Sequence, residues 1–189
     1  MGRITVQLLF IVLMQFNYNL AAKQKSRVLL FEEVSTTCNP EYLNKFELLL
    51  SEEKHGFDVE ILLIKNITEP VWNKLSVEMK LKKENQYKKI FGYETNVCDF
   101  IGVSGRSAVE NNIIMTWVQN ALKYSNLPKS CPVLEGSYSW RNFKVEKNSI
   151  PPFAVNGLYR VNVTNFLKMP ETQITEISFC SLIVNIKMK

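Results

Sequence analysis

Four cysteines, a single histidine and two Asn-x-Thr triplets are the residues of this 189-residue chain best suited to chemistry. The cysteines are Cys38, Cys98, Cys131 and Cys180. None belongs to a Cys-x-x-Cys pair, so their spacing offers no zinc site and no bound metal is expected. An even count in a chain with a secretory leader points instead to two disulfides. Three pairings are open. The favoured one joins Cys98 to Cys131 across the segment between them, and Cys38 to Cys180 across the two ends of the domain. His55 precedes Gly56 in a charged stretch that reads as a surface turn. No G-x-S-x-G elbow accompanies a serine. Ile101 to Arg106, with Gly102 and Gly105, makes only a turn rather than a phosphate cradle. No spacing among the acidic residues favours a glycosidase-type pair. No catalytic residue is therefore assigned, no cofactor is expected, and the chain reads as a non-enzyme.

The leader covers 1–22: Arg3, an apolar run from Ile4 to Phe16, and the small-residue exit Ala21-Ala22. Cleavage there would leave one secreted domain, 23–189, long enough for a real core. The formal charge of +5 is dispersed. Its densest group, Lys80, Lys82, Lys83, Lys88 and Lys89, is interrupted by Glu78 and Glu84, which reads as a solvated strand face. Secretion argues against nucleic acid as a partner. In a secreted chain Asn66-Ile67-Thr68 and Asn162-Val163-Thr164 are N-glycosylation sites, which places Asn66 and Asn162 at the surface.

The elements that must position these groups have a period of two. Val71 to Lys82 alternates apolar and charged residues, the mark of a half-buried strand. Phe57 to Ile64 does the same, and the intervening Asn66 to Pro70 predicts a turn joining the two as an antiparallel pair. Tyr87 to Val97 forms another strand. Gly136 opens one with Tyr138 and Trp140 on one face and Phe143 and Val145 on the other. Asn156-Gly157 signals a hairpin leading into Leu158 to Phe166. Tyr159, Val161 and Val163 share one face there, with Asn162 opposite. Ile174 to Met188 sets Cys180, Leu182, Val184, Ile186 and Met188 on one side, and Arg27 to Glu33 supplies a first strand. One helix, 108–124, carries an apolar stripe of Ile113, Ile114, Trp117, Val118, Ala121 and Leu122. Seven or eight strands with one inserted helix predict a mainly β, two-sheet antiparallel sandwich.

Aromatic residues crowd the middle of this pattern. Phe91, Tyr93, Trp117, Tyr138, Trp140 and Phe153 are the candidate lining of an apolar cavity between the sheets, against the plainer reading that they fill an ordinary core.

Val97-Cys98-Asp99-Phe100, Tyr124-Ser125-Asn126-Leu127-Pro128 with Cys131-Pro132, Gly136 to Phe143, and Pro151 through Arg160 together resemble a family of secreted insect proteins. That family includes the CheA and CheB chemosensory proteins and the "DM eight" domain group, and is distantly similar to the ganglioside-activator protein and ML lipid-recognition domains. The resemblance implies an immunoglobulin-like sandwich of ML type that holds a lipid or another hydrophobic small molecule. It also implies a role in contact-pheromone sensing, beside a membrane receptor or a degenerin-type sodium channel. A first-to-last cysteine bridge occurs in ML domains, which the resemblance carries to Cys38 and Cys180. An extracellular module that modulates a receptor or channel without carrying a small ligand is the alternative from a different class.

Overall fold

The computed structural model describes residues 27–81, 86–99, 122–128, 130–145, 150, 154–169 and 173–188. The expected leader and nearly all of the expected helix lie outside these residues, as do Trp117, Phe153, Lys82 and Lys83. Of the helix, only 122–124 is described: 122–123 is helical and Tyr124 is a turn.

Among the described residues eight strands make two antiparallel sheets. They are β1 (Arg27–Cys38), β2 (Leu43–Leu50), β3 (Gly56–Leu63), β4 (Val71–Lys80), β5 (Tyr87–Asn96), β6 (Gly136–Lys144), β7 (Gly157–Lys168) and β8 (Ile174–Met188). One sheet has five strands in the order β1-β8-β7-β4-β5, and the other has three in the order β2-β3-β6. The expected antiparallel sandwich is thus the fold. Alternation explains its faces: Tyr159, Val161 and Val163 of β7, and Cys180, Leu182, Val184 and Ile186 of β8, all point inward. Met188, at the end of that series, is exposed.

Two expected pairings are corrected. β3 and β4 form no hairpin, because β3 pairs with β2 and β6 while β4 pairs with β5 and β7. The link between them crosses from one sheet to the other. Ile67 in that link is buried and bridges Val133, so the crossing plugs one end of the sandwich. Asn156-Gly157 likewise closes no hairpin. It opens β7, whose partners are β4 and β8, while β6 belongs to the other sheet.

A bulge corrects a third reading. Phe57 pairs with Phe143 and Val59 with Trp140, so Arg141 and Asn142 together face Asp58 alone. Asn142 adopts φ 52° and donates its amide to Asp58 Oδ1 (2.6 Å). Asparagine tolerates that left-handed conformation better than most residues. The extra residue shifts the alternation by one, and Trp140 and Phe143 both point into the core rather than to opposite faces. At the other end of this pair β3 starts with a glycine for lack of room: a Cβ on Gly56 would lie 2.5 Å from the Phe143 carbonyl oxygen.

Cys98 and Cys131 form the expected disulfide. The second expected bridge is absent, and Cys38 and Cys180 are free thiols. Register explains why. Cys38 pairs with Ser178 and Thr36 with Cys180, so the two cysteines are diagonal neighbours on adjacent strands. Such diagonals stand about 7–8 Å apart, beyond the roughly 4.4–6.8 Å that a disulfide spans. Burial pushes the Cys180 thiol up to about 11. Protein denatured without reductant should therefore titrate two thiols at pH 8, and none would restore the second bridge. The raised value also sets a pH window. Stability from the neutral, buried Cys180 is complete below the ordinary thiol value of about 8.5 and is lost as pH rises towards 11.

Candidate functional site

The unequal widths of the two sheets define the site. Five strands face three, and each strand adds about 4.8 Å of width. β1 packs beside β2 at one side of the sandwich, so the surplus falls at β4 and β5. Of the inward side chains on β4, Val77 and Met79 still reach the larger buried cluster, and Val71 belongs to the smaller one. Among the described residues Leu75, whose cross-strand partner is Tyr93, joins neither, and Phe91, paired with Val77, is 42% exposed. A bulge at Ile90 sets the phase of β5. Tyr87 and Lys89 face outward with Lys80 and Glu78, while Phe91, Tyr93 and Thr95 face inward.

At one end of this strip the inner face turns polar. Cys38, Ser178, Asn165, Asn73 and Thr95 are successive register partners across all five strands. Asn73 Nδ2 donates to Asn165 Oδ1 (2.8 Å), and Asn165 Nδ2 donates to Ser178 Oγ (3.0 Å). Ser178 is the sole buried polar side chain of the described residues, at 3% exposure. The row lies where the two apolar clusters meet, with Cys180 and Leu182 on one side and Leu167 and Val71 on the other.

The edge of the smaller sheet is built by the Tyr124 to Cys131 motif. Asn126 acts as a short substitute strand along β6. Its amide donates to the Ser139 carbonyl (3.1 Å), its Oδ1 accepts the Ser139 amide (2.6 Å), and its Nδ2 donates to the Ser137 carbonyl (3.1 Å). Ser125 bridges Trp140, and the Arg141 amide donates to the Tyr124 carbonyl (3.0 Å). At the facing edge, Asn96 Oδ1 accepts the Cys98 amide (2.9 Å), which ends β5 and caps a helical turn at 97–99. The Cys98–Cys131 bridge therefore ties the β5 edge of one sheet to the segment that lines the β6 edge of the other.

The expected lining residues fall into two groups. Tyr138 packs on the smaller cluster and Trp140 on the larger, both half-buried, and the Tyr138 hydroxyl donates to the Leu134 carbonyl (2.6 Å). Phe91 and Tyr93 sit on the overhanging strip. Leu75 and the polar row were missed by sequence reasoning. Their signal was present, since Asn73, Asn165 and Ser178 each occupy an inward phase of a strand whose other inward positions are mostly apolar.

The charged groups lie elsewhere. On the outer face of the smaller sheet Glu60 accepts from both Lys45 and Arg141, and Arg141 also approaches Asp58 (3.6 Å). These bonds hold the Glu60 carboxyl below its usual range and raise Lys45 and Arg141. On the outer face of the larger sheet Arg160 pairs with Glu78 (2.6 Å) over the Tyr87 ring. His55 is exposed in the β2–β3 turn, its Nδ1 3.3 Å from the Leu29 carbonyl oxygen. Of the two sequons, Asn66 is exposed, with Oδ1 accepting the Glu135 amide (2.7 Å). Asn162 is half-buried on the outer face of β7 and accepts from Ser181 (2.8 Å). Among the described residues no group of acidic, histidine or cysteine side chains could hold a metal.

The fold and this strip define a two-sheet β-sandwich with an apolar overhang closed at one end by a disulfide. A family described as "Protein of unknown function (DUF1091)" matches residues 74–161, the stretch from β4 into β7 that includes Cys98, Cys131 and the overhang. No curated protein matches the sequence. Among solved structures the crystal structure of the C-terminal domain of wzt is similar at 11% identity and a TM-score of 0.30, over 86% of this chain and 78% of that one.

Proposed function

We propose that this chain is a secreted, non-enzymatic binder of a hydrophobic small molecule or lipid, acting in chemical perception. The observation that carries the reading is the inner face of β4 and β5. Leu75 and Phe91 point to the interior side of the sandwich yet stand outside both clusters formed by the described residues. Apolar surface of that kind gains about 25 cal/mol for each Å² that a ligand removes from water. The expected leader supports the extracellular part, and the resemblance of the Val97–Phe100, Tyr124–Pro132 and Pro151–Arg160 segments to secreted chemosensory proteins supports the chemosensory part. A carrier of this kind would hand its ligand to a membrane receptor or a degenerin-type channel.

Native mass spectrometry with organic extraction, on protein secreted from insect cells, tests the reading. The expected result is one acyl lipid or hydrocarbon per chain, or binding from an added panel of fatty acids, hydrocarbons and glycolipids. Leu75→Glu should weaken that binding at least about tenfold, since it sets a charge in the apolar strip. Failure of the whole panel to bind would overturn the proposal and favour a module that contacts a receptor directly.

A further inference from the structure

The polar row is costly where it stands. It interrupts a mostly apolar inner face and lies between the two clusters of the core. Two of its links are satisfied within the protein: Asn73 to Asn165, and Asn165 to Ser178. The far end is not. Asn73 Oδ1 accepts no hydrogen bond among the described residues and is not buried. Across the strand pair, Thr95 Oγ1 reaches only the Asn96 carbonyl among the described residues, at a long 3.4 Å. An acceptor and a hydroxyl are thus presented side by side at the overhanging edge, with Leu75 and Tyr93 forming the next register pair along the strands and Val77 and Phe91 the one after.

We infer that Asn73 and Thr95 bind the hydroxyl head of a neutral, single-chain amphiphile whose hydrocarbon runs along Leu75, Val77, Phe91 and Tyr93. This assignment rests on the reading of the overhang as a hydrophobic-ligand site. A hydroxyl donates to Asn73 Oδ1 and accepts from Thr95 Oγ1, which uses both groups. An ionised carboxylate does not fit beside Asn73 and Thr95, because the cation that register places on this face is Lys88, opposite Met79 at the far end of the strip. Among the described residues, the row itself (Cys38, Ser178, Asn165, Asn73, Thr95) and the next one (Thr36, Cys180, Val163, Leu75, Tyr93) hold no cation on the inner face. A carboxylate there would lose its hydration without gaining an opposite charge. A pure hydrocarbon leaves Asn73 and Thr95 unmatched. The strip from Asn73 to Met79 measures about 20 Å along the strand, enough for a long chain.

The test uses the secreted chain loaded with the apolar fluorophore N-phenyl-1-naphthylamine, displaced at pH 8 by glycerol monolaurate or by laurate. These two share a chain and differ in the head. The expected result is displacement by the monoglyceride at about tenfold lower concentration, the worth of one well-made hydrogen bond. In Asn73→Leu and in Thr95→Val the two ligands should come within about twofold of each other. The readout is a ratio within one variant, so general weakening cancels. Thr95→Val is nearly isosteric and keeps the test open if Asn73→Leu fails to fold. Fluorophore binding with equal displacement by the two ligands, or a preference that survives both substitutions, overturns the inference and leaves the overhang reading standing. No fluorophore binding at all overturns the overhang reading, and the inference falls with it.

Discussion

Leu167→Ala should lower the stability of the fold by about 3–5 kcal/mol, the upper range for emptying a fully buried leucine site. Leu167 is 1% exposed and the most deeply buried large side chain among the described residues. It sits in the smaller cluster with Tyr42, Leu43, Leu63, Ile67, Val71 and Ile177. These neighbours come from both sheets and from the β3–β4 crossing, and several are fixed by backbone ladders. The cavity therefore has little freedom to collapse, and the lost contacts are not recovered. Urea unfolding at constant slope gives the value directly. Leu49→Ala is the control. Leu49 is 56% exposed on the outer face of β2, and the change there should stay within about 0.5 kcal/mol. A loss below about 1 kcal/mol at Leu167 would mean that the smaller cluster is not a packed core.

Cys131→Ser should cost a comparable amount by a different route. The bridge closes a loop with a sequence separation of 33, for which chain entropy gives roughly 3.7 kcal/mol. Its position adds a second consequence. It ties together the two sheet edges that border the overhang, so its loss frees those edges as well as the unfolded chain. The double variant Cys98→Ser/Cys131→Ser separates the missing bridge from the effects of an unpaired thiol. Both variants should melt well below the parent and be secreted poorly. A parental melting temperature in the double variant would show that the ladders of Asn126 on β6 hold the edge without the bridge.

Strand faces were legible wherever the ladder is regular. The inward sets of β4, β7 and β8 followed from alternation alone, as did the outward placement of Asn162. Legibility ended at irregular steps. In β6 the single extra residue at Arg141–Asn142 turned Phe143 inward, and a period of two carries no mark of where it slips. β2 was missed. Its Phe46 and Leu48 alternate with Lys45 and Glu47, but the run Leu48-Leu49-Leu50 hides the pattern. Strand partners were harder still, because a turn sequence between two strands does not say whether the chain folds back or crosses to the other sheet. The β3–β4 link crosses because Ile67 is buried at the end of the sandwich, a long-range fact. The Cys38–Cys180 pairing failed for a similar reason, since ladder register separates the two thiols by one diagonal step. At the candidate site the aromatics drew attention, whereas the asparagines that pattern the inner face did not.

The row of Cys38, Ser178, Asn165, Asn73 and Thr95 also answers a problem of assembly. In an alternating sheet, a one-residue slip turns the apolar set outward and is heavily penalised. A two-residue slip keeps inside inside, so alternation alone does not oppose it. Here such a slip of β7 along β4 would set Asn73 against Val163 or Leu167, and Asn165 against Val71 or Leu75, parting the two half-buried amides from each other. The amide pair therefore acts as a notch that allows one alignment of the ladder. Substitutions that make the row uniformly apolar would leave a sheet that holds together while losing its means of choosing between neighbouring alignments.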